Sequence, residues 1–127
     1  MSVLPILLSA SAILSNCGGP NDLATINNYG IVPDTPIAGQ NMTLWIDYTL
    51  KQDVTGGIAV YEANLNGIPY IETNSLCTQT ECPIVAGQHN ESSISTFPNF
   101  VGKLMTVISW EDENSLPILC VRAVFKN

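Results

Sequence analysis

The chain has 127 residues and a formal net charge of −7, from 4 Lys and Arg against 11 Asp and Glu; its length fits one domain with a core of its own. So few cations disfavour nucleic acid as a partner, because phosphate binding needs clustered Lys and Arg, and they also disfavour strong attraction to anionic membranes. Charged residues make up 12% of the chain and hydrophobic residues 46%, a composition that favours a β-rich extracellular domain.

The first 15 residues have the pattern of a secretory leader. Residues 3–14 form an apolar run with small residues interleaved, which is too short to span a bilayer. Ala10-Ser11-Ala12, or Ser15, offers small residues for cleavage. No Lys or Arg precedes the apolar run, which departs from the usual leader, and a buried first strand is the alternative. The sequence therefore predicts a leader at residues 1–15 and a mature domain at residues 16–127, which begins just before Cys17.

Short strand patterns separated by turn signals follow. Residues 41–50 alternate as in a half-buried strand, and one face carries Met42, Leu44, Ile46 and Tyr48. Asn66-Gly67 is a hairpin dipeptide, and no long segment has the 3.6-residue periodicity of a helix. These patterns predict an all-β fold, an antiparallel β-sandwich of about seven strands, at residues 23–29, 41–50, 57–64, 67–73, 88–97, 103–110 and 116–126.

Four cysteines, at positions 17, 77, 82 and 120, indicate an oxidising compartment. They allow three pairings, of which the simplest joins Cys77 to Cys82 as a local staple and Cys17 to Cys120 as a tie between the ends. A metal site or a thioredoxin-like redox site is disfavoured, because only one pair is close and it is not Cys-x-x-Cys. Two sequons predict glycosylation at Asn41 and Asn90 and fit the same compartment.

The order of several motifs along the chain points to a known family. The motifs are Cys17-Gly18, Pro33 to Gln40, Gly67-Ile68-Pro69, Leu76-Cys77 with Cys82-Pro83, Pro98 to Gly102, Trp110 and Leu119-Cys120. Their order resembles that of the ML-domain lipid-recognition family, which includes the soluble Niemann-Pick type C cholesterol carrier and fungal phosphatidylglycerol/phosphatidylinositol transfer proteins. The resemblance implies an immunoglobulin-like β-sandwich with an apolar cavity between its sheets, and the disulfides Cys17–Cys120 and Cys77–Cys82.

The same resemblance implies which side chains line the cavity. For each of them the alternative is an ordinary place in the core, since apolar residues on a strand face are usually core residues. Tyr70, Phe97 and Phe100 lie beside Pro or Gly in predicted loops, where aromatic side chains have little structural reason to be exposed. By position, the predicted lipid-binding residues are Met42, Leu44, Ile46, Tyr48, Ile68, Tyr70, Phe97, Phe100, Val101, Leu104, Trp110 and Phe125.

Catalysis is poorly supported by the sequence. His89 is the single histidine, and Glu111-Asp112-Glu113 is typical of a solvated turn. The sequence predicts a monomeric lipid carrier without enzymatic activity or cofactor, which takes a sterol or phospholipid from a membrane or membrane protein and opens around residues 68–73 and 97–102. We expect it to be secreted or to lie in the lumen of the endolysosomal or vacuolar system. The alternative is a secreted immunoglobulin-like interaction module without a lipid cavity.

Overall fold

The computed structural model describes residues 10–127 and shows an almost entirely β structure. Each strand predicted from the sequence is present, and an additional strand precedes Cys17. In chain order the elements are β1 (Ser11–Asn16), β2 (Ala24–Val32), β3 (Asn41–Leu50), β4 (Gly57–Leu65), β5 (Ile68–Ser75), α1 (Leu76–Gln79), β6 (Gly87–Thr96), β7 (Lys103–Asp112) and β8 (Pro117–Lys126).

The strands form two antiparallel sheets that face each other. One sheet has five strands in the order β1-β8-β7-β4-β5, and the other has three in the order β2-β3-β6. This arrangement confirms the predicted immunoglobulin-like sandwich. The edge strands β5 and β6 belong to different sheets and do not pair with each other, and the same holds for β1 and β2 at the opposite edge. Strand pairing among the described residues therefore closes neither side of the sandwich.

Local sequence explains how these strands are shaped. The β4–β5 turn has positive φ at both Asn66 and Gly67, 51° and 92°, the conformation that tight hairpin turns need and that these two residue types favour. On the outer face of β3, Trp45 covers Gly30 of β2, where a Cβ atom would lie 2.7 Å from the indole ring. Trp45 is an apolar residue on an otherwise polar face of β3, and it fits there because its partner Gly30 has no side chain.

The core between the sheets is divided into two clusters of buried side chains. We call them the first core cluster, with Ala24, Ile46, Tyr48, Leu50, Val54, Ala59, Leu76, Ile84, Trp110, Ile118, Leu119 and Val121, and the second core cluster, with Ala10, Ile31, Phe97, Phe100, Leu104, Ala123 and Phe125. The Phe97 ring packs edge-on against Phe125, with centroids 5.1 Å apart. The division leaves the middle of the sandwich available for a cavity.

Two disulfides are present, with the predicted pairing. Cys17–Cys120 spans 103 positions and ties the end of β1 to β8, next to a hydrogen bond from the Cys17 N–H to the Cys120 carbonyl. Cys77–Cys82 spans five positions and forms a small ring within the segment that links β5 of one sheet to β6 of the other. Here the sequence predicted only a local staple, whereas the structure also has the single helical turn α1, which is too short to produce a periodic sequence pattern.

The predicted leader overlaps the fold. Its residues 11–15 lie in β1, which pairs with β8 along its whole length, while residues 1–9 lie outside the described part of the chain. Cleavage after the Ala10-Ser11-Ala12 motif would remove the first two residues of this strand from the mature protein, whereas cleavage after Ser15 would remove most of it. The leader and its boundary therefore stay predictions. In the span from residue 10 to residue 127, no helix is long and apolar enough to cross a membrane.

Replacing Cys17 and Cys120 together by Ser is expected to lower the free energy of unfolding by about 4.7 kcal/mol in the chain-entropy model, because the bond closes a loop of about 100 residues. The same model gives about 2 kcal/mol for the double Ser replacement of Cys77 and Cys82, whose loop is short. Urea denaturation of both variants measures the difference. Equal losses would contradict an effect that acts mainly through the unfolded chain.

Candidate functional site

A cavity of about 410 Å³ lies between the two sheets. Its walls come from both sheets and from members of both core clusters, which places it between those clusters. Most of its lining is apolar: Ile31, Met42, Leu44, Ala59, Val60, Phe97, Pro98, Leu104, Ile108, Trp110, Ala123 and Phe125. Such a lining favours the apolar part of a ligand over water.

The polar lining residues are concentrated along one side. Glu72 and Asn74 come from the edge strand β5, Ser93 and Ser95 from the edge strand β6, and Gln79 from α1 between them. All except Asn74 are exposed to solvent, so the cavity opens between β5 and β6. We call this side the mouth. Within the described lining, Glu72 is the one charged side chain.

Register explains why β6 presents polar groups to the cavity. Ser95 pairs with Met42 and Ser93 with Leu44, and paired residues point to the same face of a sheet. The inner face of the small sheet is therefore apolar on β3 and polar on β6. The sequence predicted a strand here but not that its serines face inward, which only the pairing of β6 with β3 determines.

The twelve predicted lipid-binding residues fall into three groups. Six line the cavity: Met42, Leu44, Phe97, Leu104, Trp110 and Phe125. Three are packed inside the core clusters beside it: Ile46, Tyr48 and Phe100. Three are exposed near the mouth and the adjoining loops: Ile68, Tyr70 and Val101. Contact of any of these side chains with a lipid stays a prediction.

Other lining residues were not found from the sequence, among them Ala59, Tyr61 and Ile108. Ala59 pairs with Trp110, and Tyr61 with Ile108, across β4 and β7. The register places all of them on the inner face of the large sheet. Alternation within β4 is weak because small, aromatic and charged residues are mixed there, so only the pairing with β7 shows which of its faces looks inward.

Two loops beside the cavity are held together by Asn66. Its Nδ2 group donates to the Val101 carbonyl at 2.8 Å, and its Oδ1 accepts from the Lys103 N–H at 2.9 Å. Gly102 has a φ of +109° and lies so close that a Cβ atom there would meet the Asn66 side chain. The β4–β5 turn and the loop at residues 97–102 are therefore joined, and the exposed side chains Ile68 and Val101 share this end of the sandwich, which we call the loop end.

The connection that carries α1 is tied to β6. The Thr80 hydroxyl donates to the Glu91 carboxylate at 2.5 Å, and the adjacent Gln79 lines the cavity. Together with the Cys77–Cys82 disulfide, this bond fixes one border of the mouth.

Tyr48 occupies a fully buried position beside the cavity. Its ring meets Trp110 edge-on, with centroids 5.9 Å apart, and stacks on His89 at 5.4 Å. Its hydroxyl has no hydrogen-bond partner among the described residues. Burial, and to a smaller extent the Glu91 carboxylate, raise the pKa of Tyr48 to about 12, so this hydroxyl stays protonated at neutral pH.

No group of three or more His, Cys, Asp and Glu residues within positions 10–127 is arranged to hold a metal ion. Both sequon residues, Asn41 and Asn90, are exposed, and their glycosylation stays a prediction.

Comparison with known families gives one match that covers nearly the whole chain. A family model described as the ML domain matches residues 11–126. A Dictyostelium discoideum protein named for phosphatidylglycerol/phosphatidylinositol transfer is 30% identical, with 89% of this chain and 84% of that protein covered.

Solved structures agree with this match at the level of the fold. A Niemann-Pick type C2 protein from the Japanese carpenter ant has a TM-score of 0.67 at 14% identity, with 88% of this chain and 96% of that chain covered. Chicken MD-1, in complex with lipid IVa, has a TM-score of 0.64 at 14% identity and covers 91% of this chain and 88% of its own.

Tyr48→Phe is expected to leave the free energy of unfolding unchanged or to raise it by up to about 2 kcal/mol at neutral pH, because it removes a buried hydroxyl without a partner. Wild-type stability should also fall between pH 10 and 12, where the unfolded chain loses the Tyr48 proton and the folded chain keeps it. The Phe variant should lack that part of the decline. Urea denaturation across this pH range measures both effects, with Tyr48→Ala as a control that should cost about 3–5 kcal/mol. A clear loss of stability in Tyr48→Phe would mean that the hydroxyl has a partner.

Proposed function

The chain belongs to the ML-domain family, and we propose that it is a lipid carrier that holds one sterol or phospholipid between its two sheets. The cavity of about 410 Å³ is the observation that carries this proposal. It falls within the range of about 300–1,000 Å³ that is typical of small-molecule sites. The alternative, an interaction module with a filled core, gives no reason for an apolar space of this size.

The lining suits a ligand that is held mainly by its apolar part. Transfer of apolar surface from water contributes roughly 25 cal/mol per Å², so a sterol ring system or an acyl chain needs no polar anchor deep inside. The walls around Leu44, Ile108 and Phe125 offer apolar contacts, while the polar groups at the mouth can meet the polar end of the lipid. The name of the Dictyostelium relative makes phosphatidylglycerol and phosphatidylinositol candidates to be tested beside sterols.

Binding and release of this kind need no chemical step. We therefore propose that the protein acts without catalysis, as a monomer, and outside the cytosol. Two disulfides support an oxidising compartment. The leader and the glycans at Asn41 and Asn90 would belong to the same secretory route.

Exchange of a lipid requires contact with a membrane or a membrane protein. The loop end supports such contact, because Ile68 and Val101 are 71% and 74% exposed and have no structural reason to be apolar. Lys103, also exposed, adds one of the chain's few cations next to them. We propose that this end touches the bilayer while the lipid moves through the mouth.

The central test is binding and transfer of lipid by a variant with a filled cavity. Ile108→Trp adds bulk to the cavity wall and should reduce lipid affinity by about tenfold or more, because the ligand and the indole compete for the same space. Val107→Trp is the matched control, since Val107 is also half-buried on β7 but faces outward. Mass spectrometry of lipids that co-purify, and transfer of a fluorescent sterol and a fluorescent phospholipid between vesicles, provide the measurements.

Both tryptophan variants must first give the far-ultraviolet circular dichroism and the cooperative urea unfolding of folded wild-type protein. If wild-type protein neither co-purifies with nor transfers any sterol or phospholipid, the proposed function is wrong. If both variants lose binding equally, the cavity is not the binding site.

Replacement of both Ile68 and Val101 by Ser is expected to slow transfer between vesicles by at least about tenfold, because each apolar side chain contributes up to about 1.5–3 kcal/mol when it is buried and a tenfold change needs only about 1.4 kcal/mol. Affinity for a water-soluble lipid analogue should not change, since neither side chain lines the cavity. Val85→Ser is the control, because Val85 is 58% exposed but lies in the loop before β6. Unchanged transfer by the double variant would exclude the loop end as the membrane contact.

A further inference from the structure

We propose that Glu72 gives the mouth a selectivity by charge, so that the protein prefers lipids whose polar end is uncharged or carries a positive group over lipids with an anionic end. This inference rests on the proposed function, because it concerns the polar end of a lipid whose apolar part lies in the cavity. The charge selectivity specifies the kind of polar end that the ligand has, which the apolar cavity does not determine.

Glu72 is the charged group that such a polar end would meet. It lines the cavity, lies on the edge strand β5 and is exposed. It pairs with Tyr61 of β4, which also lines the cavity, so both side chains belong to the inner face. A lipid that enters between β5 and β6 must bring its headgroup close to this carboxylate.

Two neighbours on the same strand hold the carboxylate in place. The Tyr70 hydroxyl donates to Oε2 at 3.3 Å, and the Asn74 Nδ2 group donates to Oε1 at 3.3 Å. Both hydrogen bonds are long, and an ionised carboxylate can accept about four. Glu72 therefore keeps acceptor capacity for a ligand hydroxyl or ammonium group.

No cation in the described lining balances this charge. The four cationic side chains of the chain lie elsewhere. Lys51 donates to the Asp22 carbonyl, and Arg122 donates to the Met105 sulfur. Lys103 and Lys126 lie opposite each other in the strand register, at the start of β7 and the end of β8. A phosphate or carboxylate at the mouth would find one negative charge beside it and no positive partner.

The aromatic groups around Glu72 fit the same class of ligand. The Tyr61 and Tyr70 rings lie 6.5 Å apart at an interplanar angle of 66°. The negative faces of aromatic rings attract cations, and a carboxylate attracts them further. Burial chiefly, with Tyr70 and Glu72 adding to it, raises the pKa of Tyr61, so its hydroxyl remains a donor for a neutral polar group.

Two sources supply this chemistry: the hydroxyl of a sterol, which is uncharged and can donate a hydrogen bond, and the quaternary ammonium of a choline headgroup, which carries a positive charge but no N–H. An anionic headgroup such as that of phosphatidylglycerol also carries hydroxyls, but it brings a phosphate charge that no cation in the described lining offsets, and a free fatty acid brings a carboxylate. The distinction predicts an order of affinity that can be measured with defined probes.

The experiment compares binding of cholesterol, phosphatidylcholine, phosphatidylglycerol and oleate to wild type, Glu72→Gln and Glu72→Lys at low and high salt. Wild type should bind cholesterol or phosphatidylcholine at least about tenfold more tightly than either anionic probe at low salt. Glu72→Gln should reduce the ratio of the affinity for cholesterol or phosphatidylcholine to the affinity for the anionic probes by about three- to tenfold, and Glu72→Lys should reduce this ratio further. High salt should weaken the selectivity of wild type, because exposed charges are screened.

Glu62→Gln is the matched control. It makes the same change of net charge on the strand next to Glu72, but Glu62 pairs with Ile71 on the outer face and should leave the selectivity unchanged. A wild type that prefers phosphatidylglycerol or oleate, or a ratio that Glu72→Gln and Glu62→Gln change equally, would overturn charge selectivity while lipid binding itself stands. Failure to bind all four probes would overturn the proposed function as well.

Discussion

The polar inner face of β6 is the constraint on which the architecture of the site depends. A sandwich is stable when the inner faces of both sheets are apolar and bury each other. Ser93 and Ser95 interrupt that pattern beside the apolar residues of β3. Burying their hydroxyls against the large sheet without partners would cost free energy, so closing the sandwich at β5 and β6 is unfavourable and the gap between the core clusters stays open to the surface.

The rest of the structure compensates for this open side. The first core cluster includes the fully buried Leu76 from α1, so the connection between the sheets contributes to the core as well as to the mouth. Cys17–Cys120 and Cys77–Cys82 restrict the chain next to members of that cluster. At the other end, the second core cluster joins Phe97 to Phe125, which anchors the loop at residues 97–102. Two packed ends with an open middle would let a ligand enter without unfolding of the sandwich.

The fold was predictable from the sequence because its strongest signals are local. The alternation of β3 and the Asn66-Gly67 turn are patterns of a few neighbouring residues. The four cysteines mark positions that disulfides join. The site was predictable only in part. Leu44 and Ile46 lie on the same face of one strand, yet Leu44 lines the cavity and Ile46 belongs to the core. What lies across from each residue on the other sheet decides between these places, and no local pattern contains that information.

Charge links the site to the way the protein meets a membrane. With a net charge of −7, the chain is repelled by an anionic surface, and at the mouth Glu72 would repel an anionic headgroup. The proposed contact with a bilayer would then rest mainly on apolar side chains such as Ile68 and Val101, whose burial depends little on lipid charge. A carrier built in this way would exchange best with neutral, sterol- or choline-lipid-rich bilayers, so the same scarcity of cations would select both the membrane and the cargo.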